Sequence, residues 1–92
     1  MQVELRVGGL ITVNGHEIAL GQTFGLLDAI ARDRSVRAAA ERLEVSYRSA
    51  WGRVLSLEQA IGQPVVEKTK GHGSVLTPFG EELRRALEAP LN

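Results

Sequence analysis

Cysteine is absent from the sequence, which excludes both a disulfide framework and a thiolate metal site. Histidine is nearly as scarce. His16 and His72 are the two present, and they suggest no metal centre. No apolar run is long enough to cross a bilayer, and Met1-Gln2-Val3-Glu4 does not open a secretory signal. The expectation is a cytoplasmic protein with no membrane contact. Internal repeats and low-complexity segments are missing. So are an acid–base pair, a nucleophile with its base, and a glycine-rich phosphate loop. A small-molecule sensor or enzyme is therefore disfavoured, with no catalytic residue and no cofactor expected. Excess charge of either sign is missing as well, since 11 Lys and Arg balance 11 Asp and Glu. That neutrality counts mildly against a nucleic-acid binder.

What is present is enough chain for one small domain, with 43% hydrophobic residues among 92. Such a core is marginal, and dimerisation would strengthen it. The charge, although balanced, is unevenly placed. Arg32, Arg34, Arg37, Arg42, Arg48 and Arg53 stand against Asp33, Glu41 and Glu44. Upstream of them Arg6 is the one base, against Glu4, Glu17 and Asp28. Lys68 and Lys70 form a second basic site.

Gln2 to Val7 alternates apolar and polar residues, the period of a half-buried strand. A tight Gly8-Gly9 turn would pair Val7 with Leu10. Leu10 to Val13 is a second β-prone run, and Asn14-Gly15 is a strong type I′ hairpin signal that would pair Ile11 with Ile18. The two turns together do not place one apolar face on a single side. This segment either lids a helical core or serves a dimer contact, and His16 beside its turn is read as exposed. Residues 21 to 32 read as a helix with Phe24, Leu27, Ile30 and Ala31 inward and Thr23 as a possible cap. Ser35 opens a short helix from Val36 to Leu43, with Val36, Ala39, Ala40 and Leu43 inward.

Val45 to Gly62 is the stretch around which the rest is organised. Ser46 is a good N-cap, because its hydroxyl can accept a first-turn amide. Ala50, Val54, Leu57 and Ile61 recur at helical spacing and form one apolar face. Arg48, Ser49, Gly52, Arg53 and Ser56 fall away from it, and Gly62 is a plausible stop. An alanine-rich helix, a brief turn and a Ser-capped second helix match helix-turn-helix spacing. Downstream, residues 65–68 and 75–76 read as two strands around Gly71-His72-Gly73, a basic wing. Thr77-Pro78 starts a last helix. That helix buries Phe79, Leu83, Ala86 and Leu87 and exposes Glu81, Glu82, Arg84, Arg85 and Glu88. The fold class is mainly α with small β: a winged helix-turn-helix with an N-terminal β segment and a C-terminal helix. Its parts are a β-rich segment at 1–20, three helices over 21–62, the wing at 63–76 and the closing helix at 77–89, in one domain.

Several blocks go beyond the pattern. Residues 35–40 through Leu43 and Ser46, then 57–66, and finally Leu76-Thr77-Pro78-Phe79-Gly80 resemble the DNA-binding half of LysR-type regulators. Within that group, Ser46-Tyr47-Arg48-Ser49-Ala50-Trp51 and residues 71–77 look more like the N-terminal domain of molybdate-responsive ModE-type regulators. The resemblance implies sequence-specific binding of double-stranded DNA as a transcriptional regulator. The recognition helix, 46–61, would enter the major groove, and the wing, 65–76, would lie on the backbone or in the minor groove. His72 and Ser74 interrupt the wing glycines of the ModE pattern. The chain stops at Asn92, where those regulators continue into effector domains, so no oxyanion ligand is expected.

Arg48 is the best candidate to read a base, since its guanidinium can bond guanine O6 and N7 together. The competing reading is a phosphate contact or a solvated arginine. Ser49 reaches a base edge, a phosphate or neither. Gly52 costs about 1 kcal/mol in a helix interior relative to Ala, which either close approach to DNA or helix packing would explain. Arg53 is assigned to a phosphate. Ser46 is first a cap and secondly a phosphate contact, as are Ser35 with Arg37 one helix earlier. Tyr47 packs with its ring and offers its hydroxyl to phosphate. Trp51 is read as packing in preference to base stacking. Lys68, Lys70 and His72 would grip the backbone or enter the minor groove. A homodimer reading two half-sites is expected, joined through the first and last helices, with or without the N-terminal strands. The alternative function is a protein-interaction module that keeps the winged-helix fold without binding DNA.

Overall fold

Strands open the chain, helices fill its middle, and a two-stranded arm precedes the closing helix. The computed structural model describes residues 3–5, 9–71 and 73–88. The elements are β1 (Val3–Leu5), β2 (Leu10–Val13), β3 (His16–Ala19), α1 (Leu20–Asp33), α2 (Val36–Arg42), α3 (Tyr47–Ile61), β4 (Val66–Lys68), β5 (Ser74–Leu76) and α4 (Pro78–Glu88). This is the winged helix-turn-helix order expected from the sequence. No helix among the described residues is long and apolar enough to cross a membrane.

The N-terminal sheet runs β1-β2-β3, antiparallel throughout. Asn14 (φ 50°) and Gly15 (φ 86°) supply the two positive φ values of a type I′ turn. Ile11 accordingly faces Ile18. The β1–β2 register corrects the other expected pairing. Val3 is opposite Val13 and Leu5 opposite Ile11, one residue away from the ladder that a Val7–Leu10 pair would set. That ladder would have put Val3 against Asn14 and Leu5 against Thr12. Because side chains alternate with period two, a one-residue slip exchanges the faces. Ile11 and Val13 are fully buried in the helical core, and their burial selects the register. His16 is exposed, as expected.

Leu26, Leu27, Ala29 and Ile30 bury the inner face of α1, with Phe24 and Ala31 packed at its edge. Thr23 is not its cap. The helix continues directly from β3 after Ala19, without a side-chain cap, because buried Leu20 already belongs to the core. Arg34 ends α1 in the left-handed region at φ 53°. Ser35 caps α2, its Oγ accepting Ala38 N at 3.1 Å. The turn into α3 closes through Leu43 N to Ala39 O and Val45 N to Ala40 O, each 3.0 Å. Ala39, Ala40 and Ala50 are buried, and their small side chains let the two helices meet. Ser46 caps α3, accepting Ser49 N at 3.0 Å. Gly62 ends it at φ 82°.

The root of the wing is one polar knot. Glu58 of α3 accepts Val65 N at 2.8 Å and Val66 N at 3.3 Å. Thr77 donates its hydroxyl to Pro64 O at 2.8 Å and accepts Gly80 N at 3.0 Å. A Cβ on Gly80 would collide with the carbonyl oxygen of Val65, so α4 starts flush against the strand. On α4, Leu83 and Leu87 are buried, and Phe79 and Ala86 are half-buried. Arg84 differs from its expected exposure. It is half-buried and reaches Asp28 at 3.6 Å and Glu81 at 3.4 Å, because α4 packs along α1 and α1 places Asp28 facing it. Ala89 lies outside the described residues.

Candidate nucleic-acid interface

Helix α3 is held by Ala50, Val54 and Leu57, all buried, with Ile61 half-buried beside them. Its opposite side carries Arg48, Ser49, Gly52, Arg53, Leu55 and Ser56, all exposed. Gly52 meets nothing within 4 Å of the Cβ it lacks. Helix packing therefore does not explain this glycine, and the space over it is open to a partner.

Two concavities flank α3. On the hairpin side a groove of about 590 Å³ is lined by Glu17, Gln22, Ser49, Gly52, Arg53 and Ser56, among others. On the wing side a cleft of about 680 Å³ is lined by Ser35, Arg37, Tyr47, Trp51, Lys68 and Thr69, among others. The fold divides the expected interface residues between these two concavities. Ser35, Arg37, Tyr47 and Lys68 share the wing-side cleft, and Ser49, Gly52 and Arg53 share the groove. Arg48 and Ser46 are exposed at the front of α3, and Lys70 is exposed at the wing turn. His72 lies outside the described residues.

Within the cleft, Arg37 lies over the Tyr47 ring at 4.4 Å. Tyr47 meets Trp51 edge to face, centroids 6.4 Å apart. Lys68 Nζ stands 5.5 Å from the Trp51 ring. Trp51 is half-buried against the core, as its packing role requires. The wing is tied to the helices by Ser74 N donating to Arg34 O at 3.0 Å. A Cβ on Gly73 would stand 3.1 Å from that same Arg34 oxygen and 2.8 Å from Thr69 Oγ1, so glycine permits the tie.

The arginine cluster is smaller than it reads in the sequence. Arg32 pairs with Asp28 at 2.8 Å, one helical turn away. Arg42 grips Asp33 with two bonds, Nε to Oδ2 at 2.9 Å and Nη2 to Oδ1 at 2.8 Å. That hydrogen-bonded pair holds the Asp33 carboxyl below its ordinary range and raises the Arg42 guanidinium. Among the described residues, Arg34, Arg37, Arg48 and Arg53 make no ion pair within the domain. Leu55, 53% exposed, was missed by the sequence reading. It follows Tyr47 and Trp51 at intervals of four, off the buried stripe, and that interval was its available signal. Glu58 and Gly80 were legible as motif letters but not as the wing-root knot.

Residues 22–81 match the family model of bacterial regulatory helix-turn-helix proteins, lysR family. The molybdenum-pterin-binding protein MopB of Rhodobacter capsulatus is 41% identical over 72 residues, covering 74% of this chain and 27% of MopB. The molybdenum transport protein ModE of Azotobacter vinelandii is 33% identical over 70 residues, covering 68% of this chain and 26% of ModE. The chain thus spans about a quarter of these relatives' length. Among solved structures, a CbnR_DBD-DNA complex aligns with TM-score 0.67 at 26% identity, covering 76% of this chain and 79% of that one. A BenM_DBD/benA site 1 DNA complex shares the fold with TM-score 0.69 at 19% identity, covering 80% and 81%.

Proposed function

The chain belongs to the lysR family of bacterial regulatory helix-turn-helix proteins, and from that membership we propose how it binds double-stranded DNA as a transcriptional regulator. Helix α3 lies in the major groove, and the β4–β5 wing rests on the backbone or in the minor groove. The observation that carries this reading is the outward face of α3. There an unpaired arginine, Arg48, lies one turn from a helix-interior glycine with open space above it. A glycine there lowers helix propensity, and its benefit is the close approach of another surface. Arg48 reads a guanine edge. Arg53, Arg37, Lys68, Lys70 and the serine hydroxyls of Ser35, Ser46 and Ser49 contact phosphates, which fix register and supply the salt dependence. The domain works as a homodimer in the cytoplasm, because one recognition helix covers too few base pairs for selective regulation.

The test is binding of the chain to the DNA upstream of its own coding sequence, measured by gel shift and anisotropy at several salt concentrations. Arg48→Ala is expected to lower affinity for the preferred site by about 1–3 kcal/mol and to relax discrimination at one base pair. A uniform loss on all sequences would remove Arg48 as a base reader. Absence of any duplex binding at low salt would favour a protein-interaction module.

A further inference from the structure

The two concavities beside α3 differ in charge. The hairpin-side groove is lined by Glu17 as well as Arg53. The wing-side cleft carries Arg37 and Lys68, and its described lining includes no carboxylate. Neither cation is spent on an ion pair within the described residues. Each instead lies over a ring, Arg37 over Tyr47 at 4.4 Å and Lys68 over Trp51 at 5.5 Å. The rings themselves meet edge to face, their planes at 83°. The result is a ladder of four side chains that runs from α2, across two successive turns of α3, to the wing.

A ring face attracts a cation without taking up its N–H donors as a carboxylate would. Arg and Lys side chains lose much rotamer freedom when they grip a ligand, and holding them beforehand lowers that cost. We propose that Tyr47 and Trp51 are positioning residues that hold Arg37 and Lys68 at the two ends of this ladder, ready to grip the phosphate backbone of DNA seated against α3. The inference rests on the DNA-binding reading above and adds a mechanism to it. The wing's lysine is aimed by the recognition helix itself, so wing and helix present their charges as one unit.

The experiment measures binding of the full chain to a mixed-sequence duplex by anisotropy across a salt series. Arg37→Ala and Lys68→Ala are each expected to reduce the slope of log affinity against log salt by about 0.9, one phosphate contact each. Trp51→Leu keeps Lys68 but removes its ring. Without the ring, the rotamer cost of holding the lysine exceeds the return of one exposed ion pair, so the phosphate contact is lost together with its slope, and the double variant should bind no more weakly than the single ones. Trp51→Phe, which keeps a ring face, should recover most of the slope. If Trp51 only supports the core, its substitution leaves the slope unchanged and adds to the loss from Lys68→Ala. Tyr47→Leu and Tyr47→Phe repeat the cycle with Arg37 at a ring that is 41% exposed, and thermal unfolding of each variant confirms that the fold is kept. Trp51 is the one tryptophan of the chain, so its emission should shift in unbound Lys68→Ala and again when wild type binds duplex. Additive cycles at both rings overturn the proposal. A wild-type chain that binds no duplex at low salt overturns the DNA-binding reading instead.

Discussion

Gly52 separates folding from binding at a single position. It sits inside α3, is exposed, and has nothing within 4 Å of a hypothetical Cβ. Adding that methyl improves helix propensity, so Gly52→Ala should stabilise the fold by about 1 kcal/mol, read as a higher urea midpoint. The same methyl occupies the space over the recognition face, and affinity for duplex should fall. Denaturation and anisotropy on one preparation check both signs, and a variant with greater stability and unchanged affinity would remove Gly52 from the interface. The glycine and its cost were legible in the sequence. Its competing explanations were separated by geometry, because a sequence does not say whether a neighbouring helix lies above a residue. Trp51 shows the same limit. Its helical spacing marked it as support, but the Lys68 that stands over it comes from another element.

Between elements, two contacts tie together the parts that carry the interface. The first is the bidentate hydrogen-bonded pair of Arg42 with Asp33, which links α2 to the end of α1. The Asp33 carboxyl is held below its ordinary range chiefly by the Arg42 hydrogen bond. A carboxyl with a depressed folded pKa stabilises the fold above its unfolded pKa, and that contribution is lost as pH falls through the folded value. Urea midpoints followed from neutral pH into the acid range should therefore fall less steeply for Asp33→Asn than for wild type. Equal acid slopes would show that the pair adds nothing measurable. The second contact is the start of α4 against Val65. Gly80→Ala drives a methyl into a backbone carbonyl, and overpacking of this kind destabilises by about 1–3 kcal/mol. Thermal unfolding measures it, and the loss should loosen the wing root that Thr77 and Glu58 hold.

The whole molecule is small, with a Cα radius of gyration of 12.5 Å. Its core joins Ile11 and Val13 of the hairpin to the helices in one cluster. Domains of this size bury a limited share of their surface, which fits the proposal of a homodimer. Sedimentation of the chain should show a concentration-dependent monomer–dimer equilibrium, and DNA affinity should rise with the dimer fraction. A strictly monomeric species at every concentration, binding one half-site, would refute the dimer. Formal net charge is zero, so attraction to DNA has to come from arrangement. Internal pairing of Arg32 and Arg42 removes two of the six clustered arginines from that role, while the aromatic ladder keeps Arg37 and Lys68 in it.

Periodicity, caps and turn chemistry are local properties, and from the sequence they determined the element order, the Ser35 and Ser46 caps, the Asn14-Gly15 hairpin and the apolar back of α3. These depend on residues within a few positions of one another, so one chain in isolation displays them. The β1–β2 register, the partner of Arg84, the pairing of Arg42 with Asp33 and the division of the surface into a groove that carries Glu17 and a cleft whose described lining holds no carboxylate depend on contacts between distant segments. Only the tertiary structure decided them, because burial of Ile11 and Val13, packing of α4 along α1, and placement of the wing beside Trp51 are properties of the assembled core.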